Sequence, residues 1–506
     1  MPVCFVQGRD SYCRRFQVEV KMIELKDPAL FRQECYIDGV WITGQESFEV
    51  IDPADGRVVG SVPSLGREVT SKTIDAANAA YPFWKGLTAK ERSVIMKRWH
   101  ALIVEHQNDL AMIMTREQGK PLAEAAGEVL YGASYIEWFA EEAKRVYGDT
   151  IPATQKGKRI LVLKEPVGVC AAITPWNFPS AMISRKAAPA LAAGCPVIVK
   201  PAAQTPFSAL ALAELADRAG FPPGVFNVIT GPAAEIGREL TRNPLVRKLS
   251  FTGSTPVGKL LMAACADTVK KISLELGGHA PFIVFDDADL DQAVAGALAS
   301  KYRNSGQTCV CANRFLVQEG VYDLFAEKLA AAVRSEFRVG PGVERGNNQG
   351  PLIDLNAVIK VEEQIEDALQ KGARLAVGGK RLGERGFFFE PTVLVDVTSE
   401  MRIAREETFG PVAPLFVFKD EADAVRMAND SEYGLASYFY SRDIGRAWRV
   451  TEALEYGMVG VNTGVLSSEA APFGGMKESG IGREGSKYGI EEYLEIKYMC
   501  IGGIDS

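Results

Sequence analysis

From Gly168 onward the chain alternates short apolar runs with amphipathic stretches, and this alternation constrains the fold more than any other feature. Apolar runs that are each followed by helical periodicity are typical of parallel strands joined by crossover helices. We therefore predict a doubly wound α/β sheet, on which ligands bind at the carboxyl ends of the strands. The predicted strands are 168–174, 196–200, 225–229, 248–252, 271–276 and 281–285, and the predicted helices are 182–193, 208–218, 234–240 and 255–266.

A second alternating region follows Asp286 and predicts a second α/β domain. Before the first sheet, residues 68–147 carry helical periodicity, and residues 148–167 predict a β-hairpin with its turn at 156–158. The terminal run 493–501 is apolar and strand-like. In the second region the predicted helices are 290–303, 321–337 and 357–372, and the predicted strands are 314–317, 374–377, 392–395 and 413–418.

Composition excludes several classes of function. A formal net charge of −7 over 506 residues offers no basic surface for nucleic acid. No apolar run is long enough to cross a membrane, so neither a nucleic-acid nor a membrane partner is expected. Nine cysteines, an odd number, indicate a reduced cytoplasmic protein, and three histidines make a metal site unexpected. For the basic segment 1–22, a mitochondrial presequence is the less favoured alternative to a plain extension.

Two residues stand out as candidates for chemistry. Cys309 lies in Gln307-Thr308-Cys309-Val310-Cys311, just after a predicted helix, although a lone cysteine is more often a small buried hydrophobe. A zinc site is not supported, because the sequence has no second Cys/His pair at the required spacing. Glu275 lies in an apolar run, where burying a carboxylate is costly. It is therefore either a paired core residue or a general base with a raised pKa.

Three further segments follow predicted strands. Residues 174–179 (Thr-Pro-Trp-Asn-Phe-Pro) are stiffened by two prolines, which suits presenting the Asn177 amide as a donor but also suits a tight turn. Residues 251–258 lead into a helix whose first N–H groups can bind an anion, without the G-x-G-x-x-G pattern. Lys200 ends a strand, where it either reaches a ribose or phosphate or is simply solvated.

In this order and spacing the motifs resemble the aldehyde dehydrogenase superfamily over residues 30–500. Agreement at all of them by chance is negligible. The matching motifs are Pro175-Trp176-Asn177-Phe178-Pro179, Lys200-Pro201-Ala202, Phe251-Thr252-Gly253-Ser254, Glu275-Leu276-Gly277-Gly278, Gly306-Gln307-Thr308-Cys309, Glu407-Thr408-Phe409-Gly410-Pro411 and Pro472-Phe473-Gly474-Gly475.

The resemblance implies a mechanism built on three residues. Cys309 matches the nucleophile, an acidic thiol that attacks the aldehyde to give a thiohemiacetal. Asn177 and the backbone N–H of Cys309 match the oxyanion hole. Hydride then passes to the nicotinamide and leaves a thioester, and Glu275 matches the base that activates water for its hydrolysis. A catalytically inactive protein that kept the fold is the alternative, which the intact Cys309, Glu275 and Asn177 argue against.

The resemblance also implies an NAD(P)⁺ site. Members that prefer NAD⁺ often carry Glu at the position of Ala203, where a carboxylate would repel a 2′-phosphate by about 4 kcal/mol at about 4 Å and an effective dielectric of about 20. Ala203 removes this repulsion and Lys200 supplies a counter-charge, so NADP⁺ is expected, with NAD⁺ as the alternative. The implied cofactor positions are Trp176, Asn177, Lys200, Ala203, Gly253, Ser254, Leu276, Glu407 and Phe409.

For the substrate, several stretches resemble the branch of the family that oxidises succinate semialdehyde. Arg185, Arg303 and Ser467 fall on its carboxylate-binding positions, and an arginine fork suits a carboxylate, although either arginine could instead make a structural ion pair. Glutarate semialdehyde or a broad range of aliphatic aldehydes is the alternative. In this branch Cys311 can form a reversible redox pair with Cys309.

The implied architecture has two doubly wound parallel-sheet domains and a bridging β-hairpin for oligomerisation. We expect an N-terminal extension at 1–29, a cofactor-binding domain at 30–147 and 168–277, a catalytic domain at 278–483, and an oligomerisation element at 148–167 and 484–506. In the family the terminal strand joins the hairpin across subunits, and unpaired apolar strands are edge liabilities. A homodimer or homotetramer is therefore expected.

Overall fold

The computed structural model describes residues 23–503, which form 24 strands and 14 α-helices. The predicted presequence alternative, at residues 1–22, lies outside the described residues. The strands are β1 Cys35–Ile37, β2 Val40–Ile42, β3 Ser47–Ile51, β4 Val58–Pro63, β5 Asp149–Ile151, β6 Lys158–Pro166, β7 Val169–Ile173, β8 Val197–Lys200, β9 Phe226–Val228, β10 Val246–Thr252, β11 Lys271–Glu275, β12 Ala280–Val284, β13 Ala312–Gln318, β14 Arg374–Val377, β15 Arg381–Leu382, β16 Phe388–Phe389, β17 Thr392–Val395, β18 Val412–Phe418, β19 Tyr433–Gly434, β20 Ala436–Tyr440, β21 Met458–Val461, β22 Met476–Lys477, β23 Gly480–Ile481 and β24 Leu494–Gly502. The helices are α1 Arg67–Gly86, α2 Ala89–Glu105, α3 Gln107–Gln118, α4 Leu122–Glu142, α5 Ala181–Ala193, α6 Phe207–Ala219, α7 Ala233–Arg242, α8 Thr255–Cys265, α9 Leu290–Lys301, α10 Tyr322–Glu336, α11 Leu355–Gln370, α12 Glu421–Asn429, α13 Ile444–Ala453 and α14 Ser486–Glu491.

The first sheet has eight strands in the order β2-β1-β9-β8-β7-β10-β11-β23. Its five central strands run parallel, and the order turns back on both sides of β7, as in a doubly wound sheet. Every residue of α5 is buried, because this helix packs between the sheet and α4. The polar side chains on α5 must therefore find buried partners.

The second sheet has seven strands in the order β14-β17-β18-β13-β12-β20-β21, and all but β14 run parallel. Apolar clusters cover both of its faces. The predicted run 281–285 lies here as β12, in the middle of this sheet, although its apolar pattern continues the alternation of the first region. The short β23, for which no strand was predicted, pairs antiparallel with β11 at the edge of the first sheet.

The hairpin β5–β6 and the terminal β24 form a separate three-stranded antiparallel sheet. The expectation that the terminal strand joins the hairpin of another subunit is wrong. It pairs with β6 of its own chain from Leu494 opposite Pro166 to Gly502 opposite Lys158. The sequence shows that both segments are strands but not which copy of the hairpin the terminal strand meets. Across residues 23–503, none of the helices combines the length and apolar character that a membrane crossing requires.

Candidate active site

Three parallel strands of the first sheet end beside one another, and their loops form one wall of the candidate site. Phe251 lies opposite Ile173, and Thr252 lies opposite Glu275. The loop after β7, the start of α8 and the residues after β11 therefore meet at the same edge. This is the position at which ligands bind to doubly wound sheets.

The opposite wall is the loop between α9 and β13, which carries Cys309. Asn304 and Ser305 adopt left-handed backbone conformations, with φ of 50° and 56°. Gly306 also has a positive φ, and a Cβ there would lie 2.1 Å from the carbonyl oxygen of Gly410. The loop can therefore take this path only with glycine at 306. Gln307 accepts a hydrogen bond from the backbone of Ile353, which ties the loop to the segment before α11.

Cys309 and Glu275 interact across the gap between these walls. Glu275 is 3 % exposed, and neither of its carboxylate oxygens has a hydrogen-bond partner by geometry within residues 23–503. Burial raises the pKa of Glu275 to about 7. Burial, reinforced by the Glu275 carboxylate, also raises the pKa of the Cys309 thiol well above its ordinary value, so the expected acidic thiol is not found in this state. The pair therefore holds a neutral thiol beside a carboxylate that titrates near neutrality.

Asn177 is buried between the two walls. Its side-chain Nδ2 donates to the carbonyl oxygen of Gln307 at 3.1 Å, two residues before Cys309. Its own carbonyl oxygen accepts from Lys120 Nζ at 2.7 Å and from Asn304 Nδ2 at 3.0 Å. Contacts on both sides thus fix the amide next to the thiol.

A cavity of about 360 Å³ opens between the sheet edge and α11. Of the predicted cofactor residues, seven line it: Trp176, Asn177, Gly253, Ser254, Leu276, Glu407 and Phe409. Cys309 and Glu275 line the same cavity. Lys200 and Ala203 do not. Lys200 donates to the carbonyl of Pro201, and its burial lowers its pKa to about 8, whereas Ala203 is exposed in the turn after β8.

The cavity fits a dinucleotide in two respects. Helix α8 begins at its edge, and among the described residues the N-cap Ser254 makes no side-chain capping bond. Pro256 has no N–H, so the N–H groups of Thr255 and Val257 are the donors of the first turn that can meet a diphosphate. The second respect is the Glu407 carboxylate at the cavity wall, which can accept from a ribose hydroxyl. One of its oxygens accepts from the Gly278 backbone N–H, and the other lies 3.1 Å from the position that a Cβ on Gly277 would take, so glycine at 277 keeps this oxygen uncrowded. Burial raises the pKa of Glu407 to about 7.

A second cavity of about 180 Å³ lies on the other side of Cys309, and Arg185, Arg303 and Ser467 all line it. The two arginines differ in their partners. Arg185 is 1 % exposed and forms an ion pair with Glu484 at 2.6 Å, so the structural alternative applies to it. Arg303 stacks over the Phe178 ring at 5.4 Å and pairs with no carboxylate within the described residues. Arg303 is therefore the arginine whose charge is available to a ligand.

The C-x-C neighbour is held differently from the candidate nucleophile. The Cys311 thiol is buried and contacts the carbonyl oxygens of Ser300 and Lys301 at 3.1 and 3.0 Å, whereas Cys309 lines both cavities. Within residues 23–503, no cluster of three or more His, Cys, Asp or Glu side chains has a metal-binding arrangement.

Comparison with known proteins identifies the family. The model of the aldehyde dehydrogenase family matches residues 41–499. The chain belongs to the aldehyde dehydrogenase family. It is 65 % identical over 482 residues to the succinate-semialdehyde dehydrogenase (NADP(+)) of Escherichia coli K12, covering 95 % of this chain and 100 % of that protein. It is 63 % identical to a glutarate-semialdehyde dehydrogenase of Pseudomonas aeruginosa, again over 95 % of this chain and 100 % of that one.

Solved structures agree in fold as well. The crystal structure of an NADP-dependent enzyme from E. coli superposes with a TM-score of 0.94 at 65 % identity, covering 95 % of this chain and 100 % of that one. Succinate-semialdehyde dehydrogenase from Burkholderia pseudomallei gives a TM-score of 0.94 at 63 % identity over the same shares. As an aldehyde dehydrogenase, the protein is an enzyme that oxidises small-molecule aldehydes with a nicotinamide dinucleotide, NAD⁺ or NADP⁺.

Several residues of this aldehyde dehydrogenase site were missed from the sequence. Lys360 of α11 lines the larger cavity, and Glu484 neutralises Arg185 from a distant part of the chain. Lys120 and Glu128 form a buried pair under the loop that carries Asn177. The only sequence signal for Lys120 is the Gly119-Lys120-Pro121 break between α3 and α4, which looks like an ordinary helix boundary.

Proposed function

We propose that this aldehyde dehydrogenase oxidises succinate semialdehyde to succinate with NADP⁺. The observation that carries the proposal is the unpaired guanidinium of Arg303 in the small cavity that adjoins Cys309. A cavity of about 180 Å³ suits a short aliphatic chain. A cation at its wall selects a substrate with an anionic group opposite the aldehyde. The relatives that act on succinate and glutarate semialdehydes support this substrate class.

The chemistry assigned to the protein follows from the neighbours of Cys309. Glu275 takes the proton of the thiol, which its raised pKa near 7 suits at neutral pH, and the Cys309 sulfur attacks the aldehyde carbon. The Asn177 amide and the Cys309 N–H stabilise the oxyanion of the resulting thiohemiacetal. NADP⁺, when bound, supplies the hydride acceptor that turns this adduct into a thioester. Glu275 releases the thiol proton to solvent and, again as a carboxylate, takes a proton from the water that hydrolyses the thioester.

For the cofactor, the preference for NADP⁺ rests on the turn after β8. Ala203 is exposed there and carries no charge, so a 2′-phosphate meets no carboxylate at this position. Lys200 ends β8 two residues before Ala202, and its Nζ makes one hydrogen bond, to a backbone carbonyl, among the described residues. A lysine whose pKa is about 8 is cationic at neutral pH and gains from a phosphate partner.

Glutarate semialdehyde is the second candidate substrate, since relatives that act on it are 63 and 64 % identical to this chain. It differs by one methylene, which a pocket discriminates by only about 1–3 kcal/mol. Values of kcat/KM for succinate semialdehyde, glutarate semialdehyde and butanal, each with NADP⁺ and NAD⁺, test the proposal. The highest value is expected for succinate semialdehyde with NADP⁺. A preference for butanal would refute the anionic substrate class, and a preference for NAD⁺ would refute the cofactor.

The proposal includes a homodimer or homotetramer in the cytoplasm. Strand β24 is a sheet edge that leaves Ile496 and Tyr498 largely exposed, at 71 and 62 %. Helix α8 leaves Leu260 exposed at 69 %. Apolar edges of this kind favour burial against a second copy. The odd cysteine number supports a reducing compartment.

A further inference from the structure

A buried ion pair lies beneath the candidate site without lining either cavity. Lys120 and Glu128 have side chains that are each 1 % exposed, and Lys120 Nζ donates to Glu128 Oε2. Lys120 follows Gly119, whose φ of 95° ends α3 in a left-handed cap and turns the chain toward the site. Burying an ammonium group at this depth costs desolvation free energy, so we looked for contacts of the pair beyond its mutual attraction.

The pair also binds the segment that joins β7 to α5. Lys120 Nζ also donates to the Asn177 carbonyl oxygen at 2.7 Å and lies 4.0 Å over the Phe178 ring. The second carboxylate oxygen of Glu128 accepts from the backbone N–H groups of Ser180 and Ala181 at 2.9 and 3.2 Å. The pair therefore fixes the loop after β7 at two points, at Asn177 and at the start of α5.

A second arm links the same lysine segment to the loop that carries the thiol. The Lys120 N–H donates to Gln118 Oε1, and Gln118 Nε2 donates to Asn304 Oδ1, both at 3.0 Å. Asn304 Nδ2 contacts the carbonyl oxygens of Asn177 and Gln307 at 3.0 and 3.2 Å. These contacts form a closed ring, in which Lys120 contacts the Asn177 loop directly and the Cys309 loop through the Gln118 amide.

We propose that Lys120 is a positioning residue for the oxyanion-stabilising amide of Asn177. It fixes the Asn177 backbone by a charge-assisted hydrogen bond, and the Gln118–Asn304 arm keeps that backbone in register with the Cys309 loop. Displacing a catalytic donor by about 1 Å can cost about a hundredfold in rate. The inference rests on the proposed role of Asn177 and extends it to a residue that touches neither substrate nor cofactor.

The test is a double-mutant cycle between Lys120→Met and Asn177→Ala. The quantity measured is the single-turnover rate of NADPH formation with saturating aldehyde, because the oxyanion hole acts in this phase. Lys120→Met alone should slow this rate by about 10- to 100-fold while KM for the aldehyde changes by less than about threefold. In the Asn177→Ala background the same substitution should cost less than about threefold, because the amide that it positions is already absent.

Two further variants keep the test decisive. Lys120→Met/Glu128→Gln leaves no buried unpaired carboxylate, so it serves if the single variant does not fold. Its Gln oxygen can still accept from the start of α5. Lys248→Met is the matched control. Lys248 is likewise fully buried and paired with a glutamate, Glu492, and its Nζ binds Ser273 rather than either active-site loop. It should change the single-turnover rate by less than about threefold.

The outcomes separate the two claims. An equal loss from Lys120→Met in both backgrounds, or a loss that appears in KM alone, would overturn the positioning role and leave that of Asn177 intact. An equal loss in Lys248→Met would likewise assign the effect to buried lysines in general. If Asn177→Ala by itself leaves the rate unchanged, the proposed role of Asn177 fails, and the role of Lys120 fails with it.

Discussion

Replacing Arg303 with alanine should remove most of the preference for an anionic aldehyde while leaving uncharged aldehydes almost unaffected. Arg303 pairs with no carboxylate among the described residues, so its charge is free for a substrate, whereas Arg185 is already neutralised by Glu484. A hydrogen bond to a charged group contributes about 1.5–3 kcal/mol. Because Arg303 is half-buried rather than fully desolvated, we expect the lower half of this range, equivalent to about 10- to 50-fold in kcat/KM.

The assay compares kcat/KM for succinate semialdehyde and for butanal, which has the same number of carbons and no carboxylate. Arg303→Ala should lower the first by about 10- to 50-fold, mainly through KM, and the second by less than about threefold. Arg303→Lys is the matched control, because it keeps the charge but loses the planar fork, and it should fall between the wild type and the alanine variant. Equal losses on both substrates would refute the carboxylate role of Arg303, since they would show that the residue only shapes the loop.

Three more predictions follow from the site. Glu275 must be ionised to act as a base and its pKa is about 7, so kcat should fall about tenfold from pH 8 to pH 6, and Glu275→Gln should abolish this inflection. An inflection near pH 7 that persists in Glu275→Gln would assign it to another group. Ala203→Glu should lower kcat/KM for NADP⁺ relative to NAD⁺ by at least about fivefold, which corresponds to about 1 kcal/mol for a well-solvated pair of charges, and an unchanged ratio would exclude this position from selectivity. Prolonged treatment with excess peroxide should inactivate the wild type in a manner that dithiothreitol reverses, because a disulfide with Cys311 prevents oxidation of Cys309 beyond the sulfenic acid. Cys311→Ala should stay inactive after reduction, because its Cys309 is oxidised on to the sulfinic acid, and equal recovery of both would exclude a protective Cys309–Cys311 disulfide.

Local sequence patterns predicted many of the strands and helices. Runs such as 196–200 and 392–395 are apolar and lie between helical stretches, and the structure has strands at both places. The two parallel-sheet domains are confirmed. The apolar pattern of a run does not show to which sheet the strand belongs. The run 281–285 looks like the runs before it, and only the resemblance to the family placed it in the catalytic domain, where the structure has it as β12 of the second sheet.

In the candidate site, too, some residues could be predicted from the sequence and others could not. Cys309, Glu275 and Asn177 could be predicted because they lie in short motifs, and the structure brings all three to one cavity. The partners that set their electrostatics could not, because they come from distant segments. Glu484 meets Arg185 from the far end of the chain, and no local pattern indicates it. The raised pKa of the Cys309 thiol likewise depends on burial and on the Glu275 carboxylate, which β11 contributes.

The most direct test of the central claim is the mass of the covalent intermediate. Glu275→Gln should be incubated with succinate semialdehyde and NADP⁺ over many minutes and quenched in acid. Without the carboxylate the thiol loses its proton only slowly, to solvent, but each thioester that forms should accumulate because water is no longer activated to hydrolyse it. Mass spectrometry of the intact protein should show one added succinyl group, and peptide mapping should place it on Cys309. An unmodified protein that has nevertheless formed NADPH, or a succinyl group on Cys311 instead, would contradict the mechanism.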